Sequence, residues 1–320
     1  MVKSPCRSTM SPGHDAIFAE KSSTKVVPLA NGISARGRLR LAAVTVTVLL
    51  GSVISTPAGA LDDGGLLTFR ALTGSTAAGP YRVGKFRVKG EKGSGFNSGT
   101  VYFPVPSAEE RFGAVIISPG FLEKEEAMSS YGPLIATHGF VVMTFETQSV
   151  LDGPDLRAGQ MLAALDYLTL RSAARREIDT SRLAVMGFSM GGGAALRAAE
   201  RRPSLRASIA IAPWHPQRTW ESNRSATLIV SGEKDLVAPA DTMAGVFYDS
   251  MVGVRDRAHL EVRGAAHGDL RSPAPQVTRY TIAWLKRFVE GDRSVEDFLC
   301  ASPETPTGPV LRYQVTCPFA

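Results

Sequence analysis

Short apolar runs alternate along the chain with longer stretches in which apolar residues recur every three or four positions. The apolar runs predict strands at 99–104, 112–118, 140–146, 182–187, 206–212, 226–231 and 258–263. The longer patterns predict helices near 128–138, 154–173, 190–202, 239–250 and 275–290. This alternation requires crossover connections, so it predicts an α/β fold with a mainly parallel central sheet flanked by helices. Residues 81–104 are expected to add antiparallel strands at one edge.

The motif Gly-Phe-Ser-Met-Gly at 187–191 lies at a predicted junction between a strand and a helix. It directly follows the apolar run 182–187 and precedes a helical pattern rich in Gly and Ala. A serine on such a sharp turn has an exposed hydroxyl, and the helix N-terminus faces the same point. The motif therefore predicts that Ser189 is a nucleophile. The alternative is that these glycines only let a helix pack closely on a sheet.

A serine nucleophile on this turn requires an acid and then a base, each at the end of a later strand. Asp235 follows the predicted strand 226–231, and His267 follows the predicted strand 258–263. His267 would take the Ser189 proton during attack on an ester carbonyl, and Asp235 would fix the imidazole tautomer. The predicted catalytic residues are Ser189, Asp235 and His267.

Other residues of the same types lie in less suitable places. His138 ends a predicted helix, His215 follows Pro213-Trp214, and His259 opens a predicted strand, so we expect structural or groove positions for them. Asp241 and Glu233 are the alternatives to Asp235. Asp241 falls inside a predicted helix, and Glu233 lies two residues before Asp235.

An oxyanion hole needs two backbone N–H groups. The residue after the nucleophile, Met190, supplies one. The predicted strand 112–118 leads into Ser118-Pro-Gly-Phe121, and the N–H of Phe121 is the second predicted donor. The alternative for this segment is an ordinary turn between a strand and a loop.

Several segments together resemble the bacterial cutinase and polyester hydrolase family, from about residue 79 to the C-terminus. They are Gly-Pro-Tyr at 79–81, Ser-Gly-Phe at 94–96, Gly-Thr-Val-Tyr-Phe-Pro at 99–104, Ile-Ser-Pro-Gly at 117–120, Thr-His-Gly-Phe-Val at 137–141, Leu-Ala-Ala-Leu-Asp-Tyr at 162–167, the stretch 181–192 around Ser189, Ala-Pro-Trp-His at 212–215 and Ala-Trp-Leu-Lys-Arg-Phe at 283–288. The resemblance implies an α/β-hydrolase fold and the same triad and oxyanion donors. It also implies that Trp214 lines an open acyl or aromatic subsite.

The expected substrate groove includes Phe121, Phe188, Trp214 and Val237. The family usually has Tyr in place of Phe121, commonly His or Trp in place of Phe188, and often an aromatic residue in place of Gly268. The two phenylalanines keep the groove apolar, whereas Gly268 removes one wall. We therefore expect cutin-like or aliphatic esters to be better substrates than aromatic polyesters. No long insertion lies between Trp214 and His267, so we expect a lidless site.

Some members of the family bind calcium through carboxylates near the triad. Glu233 matches one such position, but Arg263 stands where a second carboxylate is expected. A guanidinium repels a cation, so the resemblance predicts an ion pair between Glu233 and Arg263 and no metal. No cofactor is expected either.

The first 60 residues differ from the rest of the 320-residue chain. Arg36, Arg38 and Arg40 precede the apolar stretch 41–55, and Ala58-x-Ala60 follows it as a cleavage pattern. We expect residues 1–60 to be a leader with a secretory signal peptide and 61–320 to be a single domain of a secreted protein. The apolar stretch is shorter than the ~20 residues of a spanning helix, and an uncleaved anchor is the alternative.

Loss of the leader changes both the charge and the cysteine count. It removes seven of the 36 Lys and Arg and two of the 30 Asp and Glu, which leaves 29 basic and 28 acidic residues. No nucleic-acid partner is expected at this balance, and the mature chain is expected to be a monomer. Cys300 and Cys317 remain as an even pair, and the family carries a C-terminal disulfide at matching positions.

The function expected from the sequence is hydrolysis of cutin-like or other polyesters and of short- to medium-chain acyl esters. Two alternatives use the same acyl-enzyme: a general carboxylesterase or lipase that acts on soluble esters, and an acyltransferase that passes the acyl group to an alcohol. A third alternative is a surface protein that kept the fold without activity. The intact set Ser189, Asp235 and His267 argues against this third alternative.

Overall fold

This computed structural model describes residues 78–91, 93–105, 110–302 and 307–320. These residues form a central sheet of nine strands. Its strands are β1 (Val83–Lys89), β2 (Ser98–Pro104), β3 (Phe112–Ser118), β4 (Phe140–Glu146), β5 (Ile178–Phe188), β6 (Ala207–Ile211), β7 (Ala226–Gly232), β8 (Arg257–Val262) and β9 (Val310–Val315). The predicted leader at 1–60, its cleavage site and the alternative anchor lie outside the described residues.

Six α-helices connect the strands of the described chain. They are α1 (Tyr131–Ala136), α2 (Pro154–Leu170), α3 (Met190–Arg201), α4 (Ala244–Ser250), α5 (Pro275–Leu285) and α6 (Glu296–Cys300). Single turns of 3-10 helix occur at Glu125–Met128, Ala173–Glu177, His267–Arg271 and Arg293–Val295, and α5 continues as a π-helical turn at Lys286–Glu290.

The strand order is β1-β2-β4-β3-β5-β6-β7-β8-β9. The pairs from β4 through β3 to β8 are parallel, whereas β1, β2 and β9 pair antiparallel with their neighbours. Between Trp214 and His267 the described chain holds only β7, α4, β8 and their loops. This arrangement confirms the predicted α/β-hydrolase fold and the antiparallel strands at the edge formed by residues 81–104.

The two faces of the sheet carry separate apolar layers. One layer joins side chains of α1 and α5, such as Tyr131 and Trp284, to the sheet. The other joins side chains of α2 and α3, such as Met161 and Ala195, to the opposite face. Because both faces are covered, the central strands β3, β6 and β7 are buried along their whole length. This explains why they are continuous apolar runs in the sequence rather than alternating ones.

Three elements differ most from their predicted bounds. The predicted helix at 128–138 is the shorter α1, because Pro133 is tolerated only in the first turn of a helix; His138 therefore lies two residues beyond the helix end. The predicted helix at 239–250 begins only at Ala244, because Met243 has φ −121° and ψ −85°. The strand that contains 182–187 is longer than predicted and begins at Ile178.

The sequence patterns did not predict the last strand, β9. β9 pairs antiparallel with β8 at the edge of the sheet, and only its first residue is buried. Cys317 follows β9 and is bonded to Cys300 at the end of α6, with the two Cα atoms 5.9 Å apart. The disulfide expected from the resemblance is present in the structure. It ties the C-terminal edge strand to α6.

Removal of this disulfide should destabilise the fold without disturbing the sheet. The bond closes a loop with a sequence separation of 17, and loops of that size contribute about 3 kcal/mol in the chain-entropy account. For a domain of this size the Cys300→Ser and Cys317→Ser double variant should lose roughly 6–10 °C in Tm. Differential scanning calorimetry with and without reductant checks this. A Tm that falls by less than about 2 °C would contradict it.

Candidate active site

Ser189 lies on the sharp turn between β5 and α3. Its φ of 56° and ψ of −120° are unusual for a residue other than glycine. Small neighbours make the turn possible, because a Cβ at Gly187 would lie 2.1 Å from the carbonyl oxygen of Gly191. The backbone around the serine is fixed on both sides: Ser189 N–H donates to Ile211, and Ser189 O accepts from Trp214 N–H. Such strain is typical of a nucleophile held away from the regular backbone.

The structure brings the three predicted catalytic side chains together. His267 Nε2 lies 3.0 Å from Ser189 Oγ, and His267 Nδ1 lies 2.7 Å from Asp235 Oδ2. Asp235 follows β7, and His267 follows β8 after a short loop and begins a 3-10 helix. Because β5, β7 and β8 are parallel, their carboxyl ends meet at one edge of the sheet. This geometry suits proton transfer from the serine to the histidine.

The carboxylate of Asp235 is buried and fully hydrogen-bonded. Its Oδ1 accepts the N–H groups of Val237 at 2.9 Å and Ala238 at 2.8 Å, while Oδ2 faces His267. Burial alone would raise the pKa of Asp235, but the hydrogen bonds from His267, Ala238 and Val237 outweigh it and lower this pKa. Asp235 is therefore ionised at neutral pH, and as an acceptor it requires the proton of the imidazole on Nδ1.

The imidazole of His267 rests on an aromatic ring. The ring centroids of Phe188 and His267 are 4.8 Å apart, and Phe188 is only 3% exposed. Asp269 Oδ2 accepts the N–H of Ala266 at 2.9 Å and so fixes the backbone just before the histidine. Phe188 thus supports the ring of His267, the predicted base. Its predicted contact with substrate stays a prediction.

The loop after β3 packs directly against the turn of Ser189. A Cβ at Gly120 would lie 3.1 Å from the Cβ of Ser189, and one at Gly191 would lie 2.3 Å from the carbonyl oxygen of Ser118. Met190 is the first residue of α3, so its N–H has no partner within the helix. The N–H of Phe121 has no hydrogen-bond acceptor among the described residues. Two free N–H groups on adjoining segments fit the predicted oxyanion hole.

Three residues of the predicted groove are exposed or half-buried. Phe121 is 43% exposed and Val237 56%, and Trp214 is half-buried against the apolar cluster beside α4. A Cβ at Gly268 would have no atom within 4 Å, so the site is open beside the histidine. The roles of Phe121, Trp214 and Val237 in substrate binding stay predictions.

The alternative histidines have structural environments. His215 Nδ1 accepts the N–H of Gln217, and burial lowers the pKa of His215 to about 4. His259 Nε2 lies 2.8 Å from Ser231 Oγ inside the sheet, and burial lowers its pKa to about 4 as well. His138 is also buried. Charge on His215 or His259 is thus disfavoured, which is unsuitable for a base that must become an imidazolium.

Asp241 and Glu233 do not take the place of Asp235. Asp241 is exposed in the turn before α4. Glu233 is exposed, and its Oε2 accepts the N–H of Gly264 at 2.6 Å. Arg263 Nε donates to the carbonyl oxygen of Gly308. The ion pair between Glu233 and Arg263 stays a prediction, as does the absence of a metal; within the described ranges no group of three or more His, Cys, Asp or Glu is arranged to hold one.

Sequence reasoning missed Arg157, which is buried below the loop after β3. Its guanidinium donates to the carbonyl oxygens of Pro119 at 3.1 Å, Val150 at 2.8 Å and Asp152 at 2.7 Å. Burial lowers the pKa of Arg157, and the nearby carboxylates of Asp152 and Glu123 oppose this shift. The sequence did offer one signal for this role. Arg157 lies on the apolar face of the predicted helix, and a charged residue buried there needs several hydrogen-bond partners.

Comparison with known proteins finds relatives along most of the chain. A family model described as PET hydrolase-like matches residues 68–318. The chain is 39% identical over 295 residues to the bis(hydroxyethyl) terephthalate hydrolase of Streptomyces coelicolor, a match that covers 91% of this chain and 94% of that protein. It is 44% identical over 245 residues to Cutinase 2 of Thermobifida cellulosilytica, a match that covers 76% of this chain and 93% of that protein. Cutinase cut1 of Thermobifida fusca is 43% identical over 245 residues, which covers 76% of each chain.

Proposed function

The chain belongs to the PET hydrolase-like family and is a carboxylic ester hydrolase, and we propose that it is a secreted serine esterase with the triad Ser189, His267 and Asp235. Its proposed substrates are cutin-like and other polyesters and short- to medium-chain acyl esters. The observation that carries the proposal is the continuous hydrogen-bonded chain from Ser189 Oγ through His267 to Asp235. It starts on a strained turn, beside two N–H groups that have no acceptor in the described part of the chain.

The chemistry follows from which atoms hold protons. Asp235 keeps the His267 proton on Nδ1, so Nε2 is free to accept the hydroxyl proton as Ser189 Oγ attacks the ester carbonyl. The negative charge on the carbonyl oxygen would be stabilised by the N–H groups of Met190 and Phe121. His267 then returns the proton to the leaving alcohol, and an acyl-enzyme remains on Ser189. Water then attacks the acyl carbon while His267 takes one of its protons. His267 passes this proton to Ser189 Oγ as the bond to the acyl group breaks, and the carboxylic acid is released.

Open surroundings support an extended or bulky substrate. No lid covers Ser189 in the described chain between Trp214 and His267, and apolar residues such as Phe121 and Val237 are exposed around it. Gly268 leaves no side-chain wall beside the histidine. We therefore expect faster hydrolysis of aliphatic than of aromatic polyesters, although a relative is named for a terephthalate ester.

Export is proposed from two features. The leader at 1–60 combines basic residues, an apolar stretch and a small-residue cleavage pattern. The disulfide between Cys300 and Cys317 is of the kind that persists in oxidising compartments. In the described residues no helix is both long enough and apolar enough to cross a membrane. N-terminal sequencing of protein recovered from the medium should find Leu61 as the first residue.

The proposal is tested by the hydrolysis rates of the chain that begins at Leu61. The substrates are p-nitrophenyl esters with acyl chains of two to sixteen carbons, an insoluble aliphatic polyester and an insoluble aromatic one, with Ser189→Ala as the blank. We expect preference for short to medium chains and release of soluble acids from the aliphatic polymer. Activity on soluble esters alone would replace the proposal with a general carboxylesterase. Mainly transesterified product at modest alcohol concentration would indicate an acyltransferase.

A further inference from the structure

The N–H of Phe121 lies in a tight turn at Gly120–Glu123. The N–H of Glu123 donates to the carbonyl oxygen of Gly120 at 3.3 Å, and Leu122, the third residue of the turn, has φ 60°. Phe121, the second residue, has no positive φ. This combination is that of a type II turn, whose third position favours Gly or Asn. A leucine there is strained, so the turn is not the conformation that its own sequence prefers.

Relaxation of this strain would change the turn on which the proposed oxyanion donor lies. A negative φ at Leu122 requires rotation of the peptide between Phe121 and Leu122. That rotation breaks the hydrogen bond from the N–H of Leu122 to the carbonyl oxygen of Val150, which is 3.0 Å long. The N–H of Phe121 belongs to the preceding peptide, whose carbonyl oxygen, that of Gly120, accepts the N–H of Glu123. The bond to Val150 therefore fixes the peptide after Phe121, whereas the peptide before Phe121 depends on the contacts of Gly120 and Glu123.

Glu123 is placed to do so with both oxygens of its carboxylate. Oε2 accepts the N–H of Gly120 at 2.9 Å, which closes the turn a second time. Oε1 lies 3.2 Å from Nη1 of Arg271. Arg271 is the last residue of the 3-10 helix that begins at His267. The side chain of Glu123 thus connects the turn that contains Phe121 to the 3-10 helix that begins at His267.

The remaining contacts of this loop do not replace Glu123. Arg157 holds the carbonyl of Pro119, one residue before the turn, and Val150 holds the N–H of Leu122. Neither contacts the N–H of Gly120 nor reaches the segment of His267. The side chain of Glu123 is 16% exposed and that of Arg271 is 49% exposed. In this ion pair the carboxylate of Glu123 is therefore largely shielded from solvent, whereas the guanidinium of Arg271 is exposed to it.

We propose that Glu123 is a positioning residue, which locks the strained turn 120–123 and ties it through Arg271 to the segment of His267, so that the N–H of Phe121 is held in place for the oxyanion. This inference rests on the proposed function, because it presumes a tetrahedral intermediate on Ser189. It assigns no contact with the substrate to Glu123.

Four variants separate the two contacts of Glu123. Glu123→Ala removes both, and Glu123→Gln keeps an acceptor for the N–H of Gly120 but removes the charge that faces Arg271. Arg271→Ala removes the ion pair alone. Arg293→Ala is the matched control, because Arg293 is an exposed arginine paired with Glu296 on a different 3-10 turn.

The measurements are kcat and KM on p-nitrophenyl butyrate and on the thionoester in which sulfur replaces the carbonyl oxygen. Sulfur is a weak hydrogen-bond acceptor, so a thionoester gains little from the oxyanion donors. Complete removal of one donor costs about 10²–10³ in kcat, and a displaced donor should cost less. For Glu123→Ala we expect kcat on the ester to fall about tenfold. Its KM, and its kcat on the thionoester, should change by less than about twofold.

The other variants should follow the contacts that they lose. Arg271→Ala and Glu123→Gln should lower kcat on the ester roughly two- to fourfold, whereas Arg293→Ala should leave it unchanged. Leu122→Gly relieves the strain, so in the Glu123→Ala background it should recover at least about half of the lost kcat. If Glu123→Ala does not fold, the same comparison is made between Arg271→Ala and Arg271→Ala with Leu122→Gly.

The outcomes distinguish this inference from the proposed function. The wild type and Ser189→Ala are measured first, and an inactive wild type would contradict the proposed function itself. With an active wild type, equal losses on the ester and the thionoester would overturn the role of Glu123, because they would show general damage to the site. An unchanged kcat in Glu123→Ala would overturn it as well, and so would a double variant that recovers nothing.

Discussion

Replacement of Asp235 by Asn should lower kcat about 10⁴-fold while the fold remains intact. The reason lies in the hydrogen bonds of Oδ1, which accepts two N–H groups, those of Val237 and Ala238. An asparagine must place its carbonyl oxygen there, because its NH₂ group would face two donors. The NH₂ group then points at Nδ1 of His267, which must lose its proton to accept. The proton moves to Nε2, and that nitrogen can no longer accept the proton of Ser189.

The measurement is kcat on a soluble ester for Asp235→Asn, with circular dichroism and Tm to verify folding. Asp241→Asn is the matched control, because Asp241 is exposed six residues later and was the alternative acid in the sequence. The control should keep the kcat of the wild type. If Asp235→Asn retains more than about a tenth of that kcat, the acid of the triad is another residue.

Much of the fold could be predicted because strong local patterns coincide with the structure. β3 and β4 were predicted at 112–118 and 140–146, and the structure has these same bounds. Both are buried on two faces along almost their whole length, so their sequences are mainly apolar. The closeness of Ser189, Asp235 and His267 could be predicted for a related reason. A parallel sheet brings the ends of successive strands to one edge, so the order of residues along the chain was sufficient.

The missed features depend on contacts between distant parts of the chain. β9 is an exposed edge strand that forms against β8, and its own residues carry a weak pattern. Arg157 is held by carbonyl groups of two loops. The role proposed for Glu123 depends on the positive φ of Leu122 and on an ion pair with Arg271, which is 148 residues away in the chain. Backbone conformation and long-range partners of this kind leave no periodic signal in a single sequence.

Replacement of Gly191 by Ala should damage both the stability and the activity of the enzyme. A Cβ at this position would lie 2.3 Å from the carbonyl oxygen of Ser118 and 2.5 Å from that of Pro119. Both are backbone atoms, so α3 or the loop after β3 must move. Overpacking of this kind costs about 1–3 kcal/mol or more. Because Met190 begins α3 and Phe121 lies in this loop, the same movement separates the two proposed oxyanion donors.

For Gly191→Ala we therefore expect kcat to fall about 10²-fold and Tm to fall by roughly 5 °C or more. Gly159→Ala is the matched control. Gly159 lies in the exposed interior of α2, and a Cβ there meets only the guanidinium of Arg201 at 3.9 Å. Its replacement should stabilise the protein by about 0.5–1 kcal/mol, because alanine favours a helix over glycine. The same substitution would then have opposite effects on Tm at two positions. Equal shifts at both would show that packing against the loop after β3 does not hold the turn of Ser189 in place.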